Sequence, residues 1–404
     1  MRAITEKQNC TGCSSCSNIC PNYCLEMKSD SEGFWYPSLD AAKCVTCDLC
    51  KKACPMLQRT EVKNEPLAYA CRSIDQSVRL ASSSGGIFTL LAEQIISNRG
   101  VVFGASFNKN FAVMHSYVET MEKLEALRGS KYVQSKIGLS YKLVKEFLEQ
   151  GKQVLFTGTP CQIAGLKSYL QQDYDNLFCV DIICHGVPSP KVWQKYVVYR
   201  GNCSGALIQR ISFRRKDEGW KRYSVSVSFE NDTEYLQTHD KDLYMRAFLQ
   251  DVCLRPSCYS CDFKTLNRQS DITLADFWGI QNVLPEMDDD LGTSLVLLNS
   301  SSGKKMFEDI KNRISYKEVD LNQAITYNPA AVKSAMQNPK RRSFFNELER
   351  LPFNKLVNKY CSDSAIVRTK RIAQSVARVI LKRSGLLKAV KKLRDNTRTQ
   401  REHH

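Results

Sequence analysis

Two runs of cysteine constrain this chain more than any other feature. The first is Cys10-x2-Cys13-x2-Cys16-x3-Cys20-Pro21, and the second is Cys44-x2-Cys47-x2-Cys50-x3-Cys54-Pro55. Two-residue intervals let one tight loop wrap three thiolates around a cubane, while the fourth cysteine of each run serves the other cubane. The spacing therefore assigns Cys10, Cys13, Cys16 and Cys54 to one 4Fe-4S cluster, and Cys44, Cys47, Cys50 and Cys20 to a second. Zinc also accepts thiolates, but it asks for two Cys-x2-Cys pairs rather than two four-cysteine runs each closed by proline. Cys24 falls outside the spacing and reads as a packed core thiol.

This is the spacing of bacterial dicluster ferredoxins, and it fits within residues 1–60. The chain has 404 residues and 18 cysteines, so a large body remains beyond that module. Clustered cysteines in a reduced compartment point to metal or redox chemistry rather than disulfides. No apolar run is long enough for a membrane span, and the first residues lack the apolar segment of a signal peptide. The expected location is cytoplasmic. Single-electron centres seldom do chemistry alone, so the remaining body is expected to hold a partner centre.

After a polar linker, Gln58 to Pro66, apolar runs alternate with helical periodicity. Ile87 to Ile96 suits a helix ended by Gly100, and Val101-Val102-Phe103 a strand. Tyr141–Gln150 reads as a helix, Val154-Leu155-Phe156 as a buried strand, Ile163–Leu170 as a helix, and Leu177–Ile183 as another buried strand. Thr293–Leu298 adds one more. Residues 208–213, 223–229 and 233–237 read as an inserted antiparallel sheet. The expected architecture is mixed α+β and α/β: a dicluster ferredoxin-like domain over 1–60, an α/β core over 67–335, and a basic helical extension over 340–404.

Several motifs sit at strand–helix junctions. Ser82-Ser83-Ser84-Gly85-Gly86 precedes a helix, where backbone N–H groups favour an anion; an ordinary serine cap is the alternative. Thr157-Gly158-Thr159-Pro160-Cys161-Gln162 forms a strand–turn–helix corner of the kind that binds nucleotides. Cys184-His185-Gly186 follows the next strand. If those two strands are parallel neighbours, Cys161 and Cys184 emerge at one sheet edge. With Cys258 and Cys261 of the Arg255-Pro256-Ser257-Cys258-Tyr259-Ser260-Cys261 segment they make four thiols, enough for a third 4Fe-4S cluster. Cys253 competes with Cys161 for the fourth place.

These motifs, with Gly129-Ser130-Lys131-Tyr132-Val133-Gln134-Ser135, Asp181 to Ser189 and Ala275-Asp276-Phe277-Trp278-Gly279, resemble the coenzyme F420 hydrogenase/dehydrogenase beta-subunit family. The form resembled carries an N-terminal dicluster domain, and the resemblance covers about residues 1–310. It implies FAD in the α/β core, a cluster near it and, in some members, exchange with coenzyme F420. It implies that Ser83, Ser84, Gly85, Gly86 and the Thr157, Gly158, Thr159, Gln162 corner hold FAD. Lys131 would lie near the flavin ring, and His185 would relay a proton; the plain readings are a surface lysine and a packed histidine.

The expectation is an oxidoreductase, an iron–sulfur flavoprotein passing electrons between a carrier (a ferredoxin or reduced coenzyme) and a substrate. The resemblance adds a link to surface-polysaccharide synthesis. The alternative is a non-catalytic electron-transfer subunit wiring a partner oxidoreductase. From Arg368 onward, twelve Lys/Arg against Asp395 and Glu402 carry most of the formal +16 charge. Ile372, Val376, Val379, Ile380, Leu387, Val390 and Leu393 recur there at helical spacing. A basic amphipathic helix of this kind can lie on an anionic membrane, which would place the protein at the inner face; the plain reading is a solvated helix packed on the body or partly disordered, and no motif of nucleic-acid recognition accompanies the charge.

Overall fold

The computed structural model describes residues 6–59 and 61–362. The basic segment expected to meet a membrane lies outside the described residues. Met1–Leu356 form one compact unit, and a second begins at Val357. No helix among the described residues is long and apolar enough to cross a membrane.

The N-terminal module is two short helices, Ser15–Ile19 and Leu49–Lys52, and a hairpin of β1 (Leu25–Ser29) and β2 (Trp35–Leu39). Each helix begins inside a cysteine run. Its N-cap, Ser14 or Asp48, takes a left-handed φ of 66° or 57°. That turn bends the chain so that successive thiols face inward.

The core is an eight-stranded sheet built from β3 (Leu67–Ser73), β4 (Val101–Phe107), β5 (Val113–Val118), β6 (Val154–Gly158) and β7 (Leu177–Ile182). After an excursion, β8 (Ile208–Arg215), β9 (Ser224–Phe229) and β10 (Glu234–Thr238) form a separate antiparallel sheet, as expected from sequence. The chain then returns with β11 (Ile272–Asp276), β12 (Ser294–Leu298) and β13 (Ile314–Val319). The order is β13-β3-β12-β11-β7-β6-β4-β5, with β4, β6, β7 and β11 parallel at the centre.

Side-chain alternation explains why this sheet is covered on both faces. Val102, Leu155 and Val180 pack on one face with Leu90, Leu91 and Phe307 from helices Ile87–Ser97 and Ser301–Ile310. Val101, Phe103, Val154 and Phe156 pack on the other with Tyr141, Val144, Ile163 and Leu166 from helices Ser140–Glu149 and Pro160–Leu170. Strands buried on both sides read as continuous apolar runs, which is what made β6 and β7 visible in the sequence.

Helix Pro160–Leu170 starts sharply. Pro160 takes the first helical position, and Thr159 and Gln162 close a reciprocal capping box. The sharp start holds Cys161 at the end of β6. β6 and β7 are parallel neighbours, with Gly158 opposite Asp181. Cys161 and Cys184 therefore do emerge at one sheet edge.

The N-terminal module is fastened to the rest of its unit by polar contacts. Arg341 grips Glu32 with both guanidinium nitrogens, the Asn18 amide donates to Gly138 O at 2.9 Å, and the Ser189 hydroxyl donates to Glu32 O.

Candidate functional site

Three thiol-lined cavities make up the site. Cys10, Cys13, Cys16 and Cys54 line the first, together with Thr11, Met27, Pro37 and Met56. Cys20, Cys44, Cys47 and Cys50 line the second. The fourth cysteine of each run has crossed to the other run's cavity, as the spacing requires. Burial pushes the Cys13 thiol up to about 12 and raises Cys16 and Cys54, and neighbouring thiols add to the rise. Such thiols ionise only when a metal takes the charge, so the donor set fits a cationic cluster core. Cys24, read from sequence as a core thiol, is buried but also lines the second cavity, its Sγ 3.2 Å from that of Cys20.

Cys161, Cys184, Cys258 and Cys261 line the third cavity. Two come from the ends of adjacent strands and two from the turn Pro256–Ser260 and its end. Burial pushes Cys258 up to about 12 and raises Cys161, Cys184 and Cys261. Cys253 is wholly buried and is not among the lining residues. Among the described residues no three His, Cys, Asp or Glu side chains gather tightly enough for one metal ion. The thiols surround spaces instead.

Basic side chains edge the third cavity. The Lys264 ammonium donates to Cys184 O and to Ala330 O at 2.9 Å, and its charge lowers the Cys184 thiol against the effect of burial. Arg268 faces Asp181 at 3.5 Å, both buried. His185 Nε2 meets Asp251 Oδ1 at 2.5 Å, and the ring stands edge-on to Phe248. Thr11 is shared: it lines both the first and the third cavities.

Sequence reading gave no role to Thr11, Lys264 or Arg255. Thr11 sits between Cys10 and Cys13, and Lys264 three residues after Cys261; that proximity was the available signal.

The residues that the resemblance assigns to a flavin lie elsewhere or are otherwise engaged. Ser83 Oγ accepts from the Ser130 N–H at 2.9 Å, the Ser84 hydroxyl donates to Thr293 O at 3.0 Å, and the Gly85 N–H donates to Ser294 Oγ at 3.0 Å. Gly86 caps the helix with φ 91°. Thr157 Oγ1 donates to Phe103 O, while Thr159 and Gln162 are joined in the capping box. Lys131 donates to Ala126 O at 2.9 Å and Arg128 O at 2.8 Å, and burial lowers its pKa to about 7. Around the serine–glycine loop lie Arg214, which donates to Ser83 O, and Lys216, which donates to Ser84 O.

Residues 9–57 match the 4Fe-4S dicluster domain, and residues 151–323 match the family described as the carboxy-terminal part of the coenzyme F420 hydrogenase/dehydrogenase beta subunit. The F subunit of the F(420)H(2) dehydrogenase of Methanosarcina mazei is 22% identical over 172 residues, 39% of this chain and 48% of that protein. The I subunit of the NADH-quinone oxidoreductase of Pelobacter propionicus is 33% identical over 57 residues, 12% of this chain and 31% of that protein. The chain thus spans half or less of each of these relatives. A chain of the F420-reducing nickel–iron hydrogenase complex from Methanosarcina barkeri, in its xenon derivative, is 19% identical with a TM-score of 0.45. That match covers 67% of this chain and 88% of the other.

Proposed function

We propose that this chain, a coenzyme F420 hydrogenase/dehydrogenase beta-subunit-like protein with an N-terminal 4Fe-4S dicluster domain, is an electron-transfer subunit that wires a partner oxidoreductase. The observation that carries the reading is the series of thiol-lined cavities, with Thr11 common to the first and the third. Bound there, 4Fe-4S clusters supply one-electron transfer. Cys10, Cys13, Cys16 and Cys54 hold one, Cys20, Cys44, Cys47 and Cys50 the second, and Cys161, Cys184, Cys258 and Cys261 a third. Lys264 and Arg268 place positive charge beside the third, and the capping box keeps Cys161 aimed into its cavity.

Anaerobic reconstitution tests the count. Three occupied sites hold about twelve iron per chain, and Cys258→Ser is expected to leave about eight. An unchanged iron content in that variant removes the third site. A stoichiometric oxidoreductase retained on affinity capture supports the wiring role, and turnover of a small substrate by the isolated chain opposes it. The donor is identified by which of reduced ferredoxin, NAD(P)H or reduced F420 bleaches the cluster absorbance.

A flavin in the α/β core is the second reading, favoured by the Lys216 ammonium against the Ser83–Gly86 loop. A flavin would join one-electron to two-electron carriers. Lys216 would then offset phosphate charge, Arg214 being paired with Asp276 at 3.0 Å, with Ser83, Ser84, Gly85, Gly86 and the Thr157, Gly158, Thr159, Gln162 corner giving close backbone approach. Lys131 would sit beside the ring, and His185, in contact with Asp251, would relay a proton. Heat-denatured protein should then release flavin; none released from iron-replete protein sinks this reading.

A further inference from the structure

Arg255 opens the turn that carries Cys258 and Cys261, yet its side chain points the other way, into the N-terminal module. It is fully buried. Its Nε donates to Cys10 O at 2.7 Å, one terminal nitrogen to Trp35 O at 3.0 Å, and the other to Gln134 Oε1 at 3.2 Å. Its guanidinium carbon lies 4.2 Å from the centre of the Tyr36 ring. On the main chain, the Arg255 N–H donates to Val187 O and Arg255 O accepts from the Cys258 N–H at 2.9 Å. One residue therefore ties the backbone of the first cavity's Cys10 to that of the third cavity's Cys258.

Every partner of the guanidinium is neutral. Among the described residues no carboxylate pairs with it within ion-pair distance. Burying a cation without a counter-charge is costly. Through its bond to Cys10 O the cation is joined to a residue lining the first cavity, whose four cysteines, as thiolates on an iron–sulfur core, would sum to a net negative group, its charge deepening by one when an electron is accepted. Neutral carbonyls orient the guanidinium, and a cluster bound at the first site would supply the missing counter-charge. Gly12 preserves the approach: a Cβ there would fall 2.9 Å from a terminal nitrogen of Arg255.

We infer that Arg255 is the positioning residue of the junction between the first and third sites, and that its buried charge stabilises the reduced form of the first. This rests on the cluster-relay reading proposed above. The chemistry is one-electron reduction of the cluster bound at the first site by an electron from the external carrier passed on through the second site, with Arg255 neither oxidised nor protonated.

The test is an EPR-monitored redox titration of the reconstituted full chain, with the first site's signal identified through Cys16→Ser. Arg255→Gln keeps an amide donor and removes the charge. It is expected to lower the equilibrium constant for reduction of the first site about tenfold, a potential lower by about 59 mV, with the second site unmoved. Arg255→Lys keeps the charge and should stay close to wild type. Unchanged first-site potential in an iron-replete Arg255→Gln protein overturns the inference. Should Arg255→Gln lose iron, Arg255→Lys decides: a near-wild-type potential supports the charge role. Loss of iron there too, or a tenfold fall, reduces Arg255 to packing. Failure of the third site is read separately, by the iron count of Cys258→Ser.

Discussion

Gly165 shows how tightly the ferredoxin-like loop and the α/β core are pressed together. It lies inside helix Pro160–Leu170, where glycine costs about 1 kcal/mol relative to alanine. The helix accepts that cost because a Cβ at 165 would stand 2.8 Å from Cys13 Cβ, 3.1 Å from Cys13 Sγ and 2.9 Å from the Tyr141 hydroxyl. Gly165→Ala sets the propensity gain of about 1 kcal/mol against an overpacking cost of about 1–3 kcal/mol. Because the clash falls on a ligand's Cβ, where the neighbour has little room to give, the clash should win. The expected outcome is lower iron occupancy of the first site, measured by iron content and EPR, with near-native secondary structure. Full occupancy in Gly165→Ala would mean the loop has slack. Neither this glycine nor the reach of Arg255 was legible in the sequence, because each depends on elements about 150 or more residues apart meeting in space. The eight ferredoxin-type cysteines were legible, since their geometry is local: the spacing itself bends the loop.

At the level of elements, β6 and β7 read cleanly because they are buried on both faces. β13, Ile-Ser-Tyr-Lys-Glu-Val, did not: it is an edge strand with one fully buried residue, so apolar pattern had nothing to mark. β5 was missed for a related reason, with burial alternating along Val113–Val118 at the opposite edge. That edge strand carries His115, which is buried and stacked on Phe156. Its Nε2 lies 3.0 Å from Thr157 O, an obligate acceptor, so Nε2 bears the proton and Nδ1 accepts from the Ser135 hydroxyl. Burial lowers its pKa from 6.5 to about 4. The unfolded chain therefore binds a proton between those values that the folded chain does not. Stability from this group is complete above about pH 6.5 and is lost as pH falls toward 4, on the order of 3 kcal/mol in full. His115→Gln should flatten that part of the acid limb. The check is the difference in urea midpoint between wild type and variant, followed from about pH 7 down to about pH 5 under anaerobic conditions. A constant difference across that range would remove the titration from His115.

Across the whole molecule the three sites differ in how well protein shields them, and the difference has a direction. At the second cavity Cys47 is exposed and Cys44 half-buried, with Val45 63% exposed between them. At the first cavity three of four thiols are buried. All four third-site cysteines are half-buried, set among the ends of the core strands. An external carrier can approach a cluster held by Cys20, Cys44, Cys47 and Cys50 more closely than one held behind Arg255, so electrons are expected to exchange with solution there. The same exposure admits oxygen and chelators. On brief exposure to air, the second site should bleach first while the first keeps its EPR signal, and a docked partner covering Val45 and Cys47 should slow that loss. Simultaneous decay of the two ferredoxin-type signals would place the access route elsewhere. Val45→Ser offers an independent check: it strips the apolar rim without adding charge, so it should slow reduction by a protein carrier without moving either potential, because it alters the approach and not the ligands.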